Sequence, residues 1–158
     1  MIRYNDHKQQ QLFDPWGHLS PKRRQMLDQS WPGLFQKYIL PELPVSELNP
    51  FFNAGFGRPT KDLYMVLGVL VLKETLDLTD YEAIDQLAFN IQWHYALNIT
   101  EESDSAKYMC PKTLWNMRMI IAENGLEKTL FNTGTQKLAE VFNVDSLVKS
   151  RNSQLSTA

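Results

Sequence analysis

The sequence predicts an all-α fold, a small helical bundle preceded by an irregular, aromatic-rich N-terminal arm. Three observations carry this. Helix start and stop signals recur along the chain. The most apolar segment continues past the length of a strand. In two later segments the apolar residues gather on one helical face.

The elements follow in order. Ser20-Pro21 is a helix start, because Ser caps and Pro fits the first helical position, where its missing N–H costs nothing. A short helix is expected from Pro21 to about Gln29, ended by Trp31-Pro32-Gly33. Leu34 to Leu40 reads as another short helical turn, and prolines at 41, 44 and 50 make Pro41 to Phe56 an irregular connector. The aromatics of this first third (Phe13, Trp16, Trp31, Phe35, Tyr38, Phe51 and Phe52 among them) mean that it packs onto something, either its own core or a second copy.

Thr60 is the expected N-cap of a helix from Lys61 to about Leu76, apolar nearly all the way round and therefore central. Its flanks, Lys61-Asp62 and Lys73-Glu74, extend it beyond strand length. Thr79 with Glu82 forms a capping box for a helix from Asp80 to about Phe89, with Ala83, Ile84, Leu87 and Ala88 inward. Ile91 to Leu97 is a short aromatic turn, and Ile99 to Tyr108 reads as a loop. Pro111 starts a helix running to about Glu123, which Asn124-Gly125 stops. On it Leu114, Met117 and Ile121 cluster, while Lys112, Asn116 and Met119 point the opposite way with Trp115 near them. A last helix spans Leu126 to Phe142, and the Ser-rich tail beyond Asp145 frays. The resulting division is an arm and connector (1–51), a helical domain (52–144) and a frayed tail (145–158).

Composition narrows the function. Apolar residues at 43% and charged ones at 22% fit a globular chain and exclude a disordered one. The longest apolar run, Leu63 to Leu72, is too short to span a bilayer. Residues 1–11 are polar and lack a signal peptide's apolar stretch. The single cysteine, Cys110, excludes an internal disulfide and fits a reducing cytoplasm. A net charge of −2 weighs against a strongly basic nucleic-acid binder, but the charge is unevenly spread. Acids dominate between Asp62 and Asp85. Lys22, Arg23, Arg24 and Lys37 face only Asp28 between Pro21 and Tyr38, and Lys107, Lys112 and Arg118 face no acid between Ser105 and Ala122.

Six pieces carry a family resemblance: G-R-P at 57–59, the apolar helix, L-T-D-Y-E-A-I-D-Q-L at 78–87, Q-W-H-Y-A-L at 92–97, K-T-L-W-N-M-R at 112–118 and G-L-E-K-T-L-F at 125–131. In this order and spacing they resemble the N-terminal domain of InsH-like DDE insertion-sequence transposases. The resemblance implies a helix-turn-helix-like core between Lys61 and Glu123 that binds double-stranded DNA at transposon ends, the terminal inverted repeats, and supports pairing of protomers as a homodimer or a mixed dimer with intact transposase. In such relatives a catalytic domain begins near where this chain stops. The nearest run to its first R-x-D-S-type motif is Ser150-Arg151-Asn152-Ser153, with Asn152 where a carboxylate is wanted. The expectation is a transposase piece that binds DNA and, without the carboxylates that hold two metals, does not cut. The alternatives are a protein–protein interaction module, favoured by the acidic balance and the aromatic arm, or an inactive remnant.

Candidate DNA contacts follow. Lys112 and Thr113 at a helix start can reach phosphates, and Asn116 can pair with an adenine edge; the other reading is solvated surface. Arg58 and Lys61 oppose a helix macrodipole, explained equally by a nearby phosphate or by Asp62. Lys22, Arg23 and Arg24 are an electrostatic handle for nucleic acid or a solvated helix face. Arg118 lies near the apolar side and reads as structural, bonding carbonyls or an acid such as Glu82 or Asp85. His94, between Trp93 and Tyr95, reads as a packed core histidine. His7, His18, His94 and Cys110 show no metal-ligand spacing, Asp104 does not complete a set, and no catalytic motif or cofactor is implied.

Overall fold

A computed structural model describes His7 and residues 12–52 and 61–132. Arg58, the Thr60 cap, the last helix beyond residue 132 and the tail with Asn152 lie outside the described residues. Among those described, every regular element is helical. They are α1 (Pro21–Asp28), α2 (Trp31–Leu34), a π-type turn (Phe35–Ile39), two 3₁₀ segments (Leu40–Glu42 and Val45–Phe51), α3 (Leu63–Thr75), α4 (Asp80–Phe89), α5 (Ile91–Ala96), α6 (Asp104–Lys107) and α7 (Pro111–Glu123). Residues 127–132 are helical as well.

Helix α3 is the axis of the core. Each residue from Met65 to Leu72 is buried, as the unbroken apolar run requires. Its start differs from the expectation. Lys61 and Asp62 are not helical, and Asp62 is the cap, its Oδ1 accepting the Met65 N–H at 3.1 Å. A carboxylate at the cap suits the positive end of the helix dipole. Helices α4 and α7 pack on α3 and on each other, and α4 begins with the expected capping box. The segment read as a loop between Ile99 and Tyr108 contains α6, one helical turn capped by Ser103.

Three helices end alike. After α3, α5 and α7 the chain passes through a left-handed residue: Asp77 (φ 53°), Asn98 (φ 51°) and Gly125 (φ 65°). In each case the next N–H reaches back across the last turn: Leu78 to Lys73 O, Ile99 to His94 O, Leu126 to Ile121 O. These are Schellman stops, and only the third uses the glycine that meets such a backbone without strain.

The arm folds onto its own core. Phe35, Ile39, Leu40, Leu43, Val45 and Leu48 are buried with α3 in one cluster. The connector expected to be irregular is therefore largely 3₁₀ turns, which accept its prolines while turning Val45 and Leu48 inward. Trp16, Leu19 and Leu27 form a second cluster around Tyr95 of α5. Gly33 lets α2 close on α1, since a Cβ there would lie 2.7 Å from backbone atoms of Leu27 and Asp28.

Candidate nucleic-acid interface

Helix α7 opens with Cys110 as its cap residue and Pro111 in its first turn. Leu114, Met117 and Ile121 are buried against α3 and α4, which leaves Lys112, Trp115, Asn116 and Met119 exposed on the outside. Thr113 is half-buried, its hydroxyl 3.4 Å from Cys110 Sγ. That hydrogen bond and the first amide groups of the helix hold the exposed thiol below its ordinary value.

The cations of this region have unequal freedom. Lys107 pairs with Glu102. Arg118 forks onto Asp80 of α4, Nη1 to Oδ1 at 2.6 Å and Nη2 to Oδ2 at 2.7 Å. The acid it reaches is Asp80 rather than Glu82 or Asp85. Lys73 Nζ stands 3.7 Å from the same carboxylate. Lys112 has no ion-pair partner among the described residues. It stands beside Asn116 one turn on, so α7 presents one free cation and one amide at its N-terminal half.

The other candidates are spread over the molecule. Lys61 donates to the carbonyls of Ser105 (2.8 Å) and Asp104 (3.3 Å), tying the start of α3 to α6. Arg24 is used inside the fold. Its Nη1 donates to both Asp14 oxygens at 3.1 and 3.0 Å, its Nε lies 3.6 Å from Asp28, and its guanidinium sits over the Tyr95 ring at 5.4 Å. Lys22 and Arg23 are exposed on α1 and carry no ion pair among the described residues.

Behind Arg24 lies a cavity of about 470 Å³, lined in part by Asp28, Gln36, Lys37, Tyr95 and Asn98. The Tyr95 hydroxyl donates to Asp28, and burial together with that bond pushes its pKa up to about 12. Gln36 donates to the Tyr95 carbonyl at 2.7 Å, and Trp16 Nε1 to Asn98 Oδ1 at 3.0 Å. The neighbouring polar groups thus bond one another and hold the arm to α5. His94 is buried, its Nε2–H donating to Leu87 O at 2.6 Å. Among the described residues no three His, Cys, Asp or Glu side chains converge as a metal site, and no helix is long and apolar enough to cross a membrane.

One feature escaped the sequence reading. Opposite its packed face, α4 exposes Tyr81, Glu82, Asp85 and Phe89, with Phe89 86% accessible. The i, i+4, i+8 spacing of Tyr81, Asp85 and Phe89 was the available signal.

The described elements form an all-α body in which α7 exposes a lysine, an amide and an aromatic over a buried apolar seam. The transposase domain family DUF772 matches residues 22–119, more than half of the chain, and the chain belongs to that family. The match runs from the start of α1 into α7. Comparison with curated proteins and with solved structures finds no match.

Proposed function

We propose that this chain recognises the DNA ends of a mobile element and pairs protomers there, and that it carries no nuclease chemistry of its own. The observation that carries the DNA half is the outer face of α7. We read α4 and α7, which pack on α3 and on each other and share the Arg118–Asp80 fork, as the pair of helices of a helix-turn-helix-like core, with α5 and α6 between them in the chain. The second helix of such a pair reads the major groove with residues near its N-terminus. Lys112 and Thr113 supply phosphate contacts and Asn116 suits the N6/N7 edge of adenine. The transposase-domain family supports the same reading.

The test is titration of the 158-residue chain with a labelled duplex carrying the terminal inverted repeat, beside a scrambled duplex, at two salt concentrations. Preferential binding that weakens steeply with salt is the expected result, each phosphate contact contributing about 0.9 to the log–log slope. Equal, weak binding to both duplexes would reject end recognition.

A further inference from the structure

The outer face of α4 combines acid with open aromatics, a chemistry that suits a protein surface better than DNA. Tyr81 is 73% and Phe89 86% exposed, with Glu82 and Asp85 between them. Asp85 has no ion-pair partner among the described residues. Two open aromatic rings form a contact surface of the kind buried at protein interfaces, while the carboxylates repel a phosphate backbone. The complementary occupant is a helix that is cationic and carries an apolar side chain.

That helix is present in the chain itself. Helix α1 turns Lys22, Arg23 and Met26 outward; Met26 is 62% exposed and neither cation is paired among the described residues. Its inner side is fixed by Leu27 against Trp16 and Tyr95 and by the close approach of Gly33. Helix α4 is fixed by Ala83, Ile84 and Leu87 and by Arg118 on Asp80. Among the described residues nothing covers either face, and the charges of one complement those of the other.

We propose that the occupant of the α4 face is a second copy of this chain, seated through its α1: Lys22 and Arg23 against Glu82 and Asp85, with Met26 against Phe89 or Tyr81. A two-fold arrangement makes this contact twice, because each copy supplies one basic helix and one acidic face. The proposal deepens the protomer-pairing half of the reading above and is independent of its DNA half. It gives Lys22 and Arg23 a protein partner and leaves DNA to α7.

The experiment measures the dimer dissociation constant of the full chain, without DNA, by sedimentation equilibrium. Arg23→Glu, Asp85→Lys and Phe89→Ser are each expected to weaken the dimer about tenfold or more, with melting temperatures close to wild type because all three side chains are exposed. Mixing Arg23→Glu with Asp85→Lys is expected to restore near wild-type dimer strength, since one contact in the mixed dimer is native and the other is charge-swapped. A wild-type chain that stays monomeric up to about 100 µM would overturn the proposal. So would a dimer indifferent to Asp85→Lys and Phe89→Ser, or a mixture as weak as its separate components. Lack of DNA binding with an intact, charge-swappable dimer would sink end recognition alone.

Discussion

Arg118 of α7 and Asp80 of α4 are joined by two parallel hydrogen bonds of 2.6 and 2.7 Å, a planar fork in which separate guanidinium nitrogens engage the two carboxylate oxygens. Asp80 is the first residue of α4, so its charge also complements the positive end of that helix. The fork therefore fixes how α7 crosses α4, and with it the direction in which Lys112 and Asn116 point. Arg118→Lys keeps the charge and loses the planar fork, and is expected to cost about 1 kcal/mol of stability. A chemical-denaturation midpoint measures this. The double variant Arg118→Lys/Asp80→Asn tests coupling: if the two costs add fully, the residues do not act as a pair.

Two glycines separate backbone from side-chain crowding. At Gly33 a methyl group would meet three backbone atoms of α1 at 2.7 Å, and none of them can swing away. At Gly68 it would meet the Leu97 side chain, Cδ2 at 2.3 Å. Leu97 is itself buried, but its rotamer can shift. Gly33→Ala is expected to destabilise by about 3 kcal/mol and Gly68→Ala by about 1, the latter because helix propensity returns part of the overpacking cost. Thermal melts rank them. The reverse order would mean that α1 and α2 separate freely.

Why some of this was legible in the sequence and some was not has a physical pattern. Local chemistry reads directly: Thr79 with Glu82, Pro111 at the start of α7 and Gly125 at its end each act within one turn. The inward role of Arg118 was legible from its side of the wheel. Its partner was not, because Asp80 lies 38 residues away and is chosen by the crossing of two helices. The sequence points to Thr60 as the cap of α3 and the fold uses Asp62, since Thr and Asp both cap and spacing alone does not choose between them. Arg24 looked like its neighbours Lys22 and Arg23, yet the arm brings Asp14 and Tyr95 to it. Tertiary placement, not residue type, separates a structural cation from a surface one.

Burial of His94 gives the fold a pH dependence. Desolvation is the largest influence and holds the imidazole below its ordinary 6.5, outweighing the bond to Leu87 O. The unfolded chain therefore binds the proton first. The neutral ring's contribution is whole above about pH 6.5 and is lost as pH falls toward the depressed folded value. His94→Gln can keep a donor to Leu87 O and does not titrate. The expected outcome is a stability difference between wild type and His94→Gln that shrinks from pH 7.5 to 5.5. A difference that stays constant or widens would show that the folded protein accepts the proton without penalty.

The outer face of α7 supplies the last expectation, in which two neighbouring residues fail differently. Lys112 is an exposed cation at the helix start, so Lys112→Ala is expected to weaken binding to all duplexes alike and to reduce the salt slope by about 1. Asn116 is an exposed amide one turn further on, so Asn116→Ala is expected to cost about 1–3 kcal/mol on the inverted repeat, little on a scrambled duplex, and to leave the salt slope unchanged. Neither side chain packs in the core, so both variants should melt with wild type. Because Lys112 and Asn116 share one exposed face, a groove-bound α7 has to register both losses. Salt-steep, repeat-specific binding that survives both substitutions would mean that DNA is read from another face of the bundle, and would remove α7 from the role given to it here.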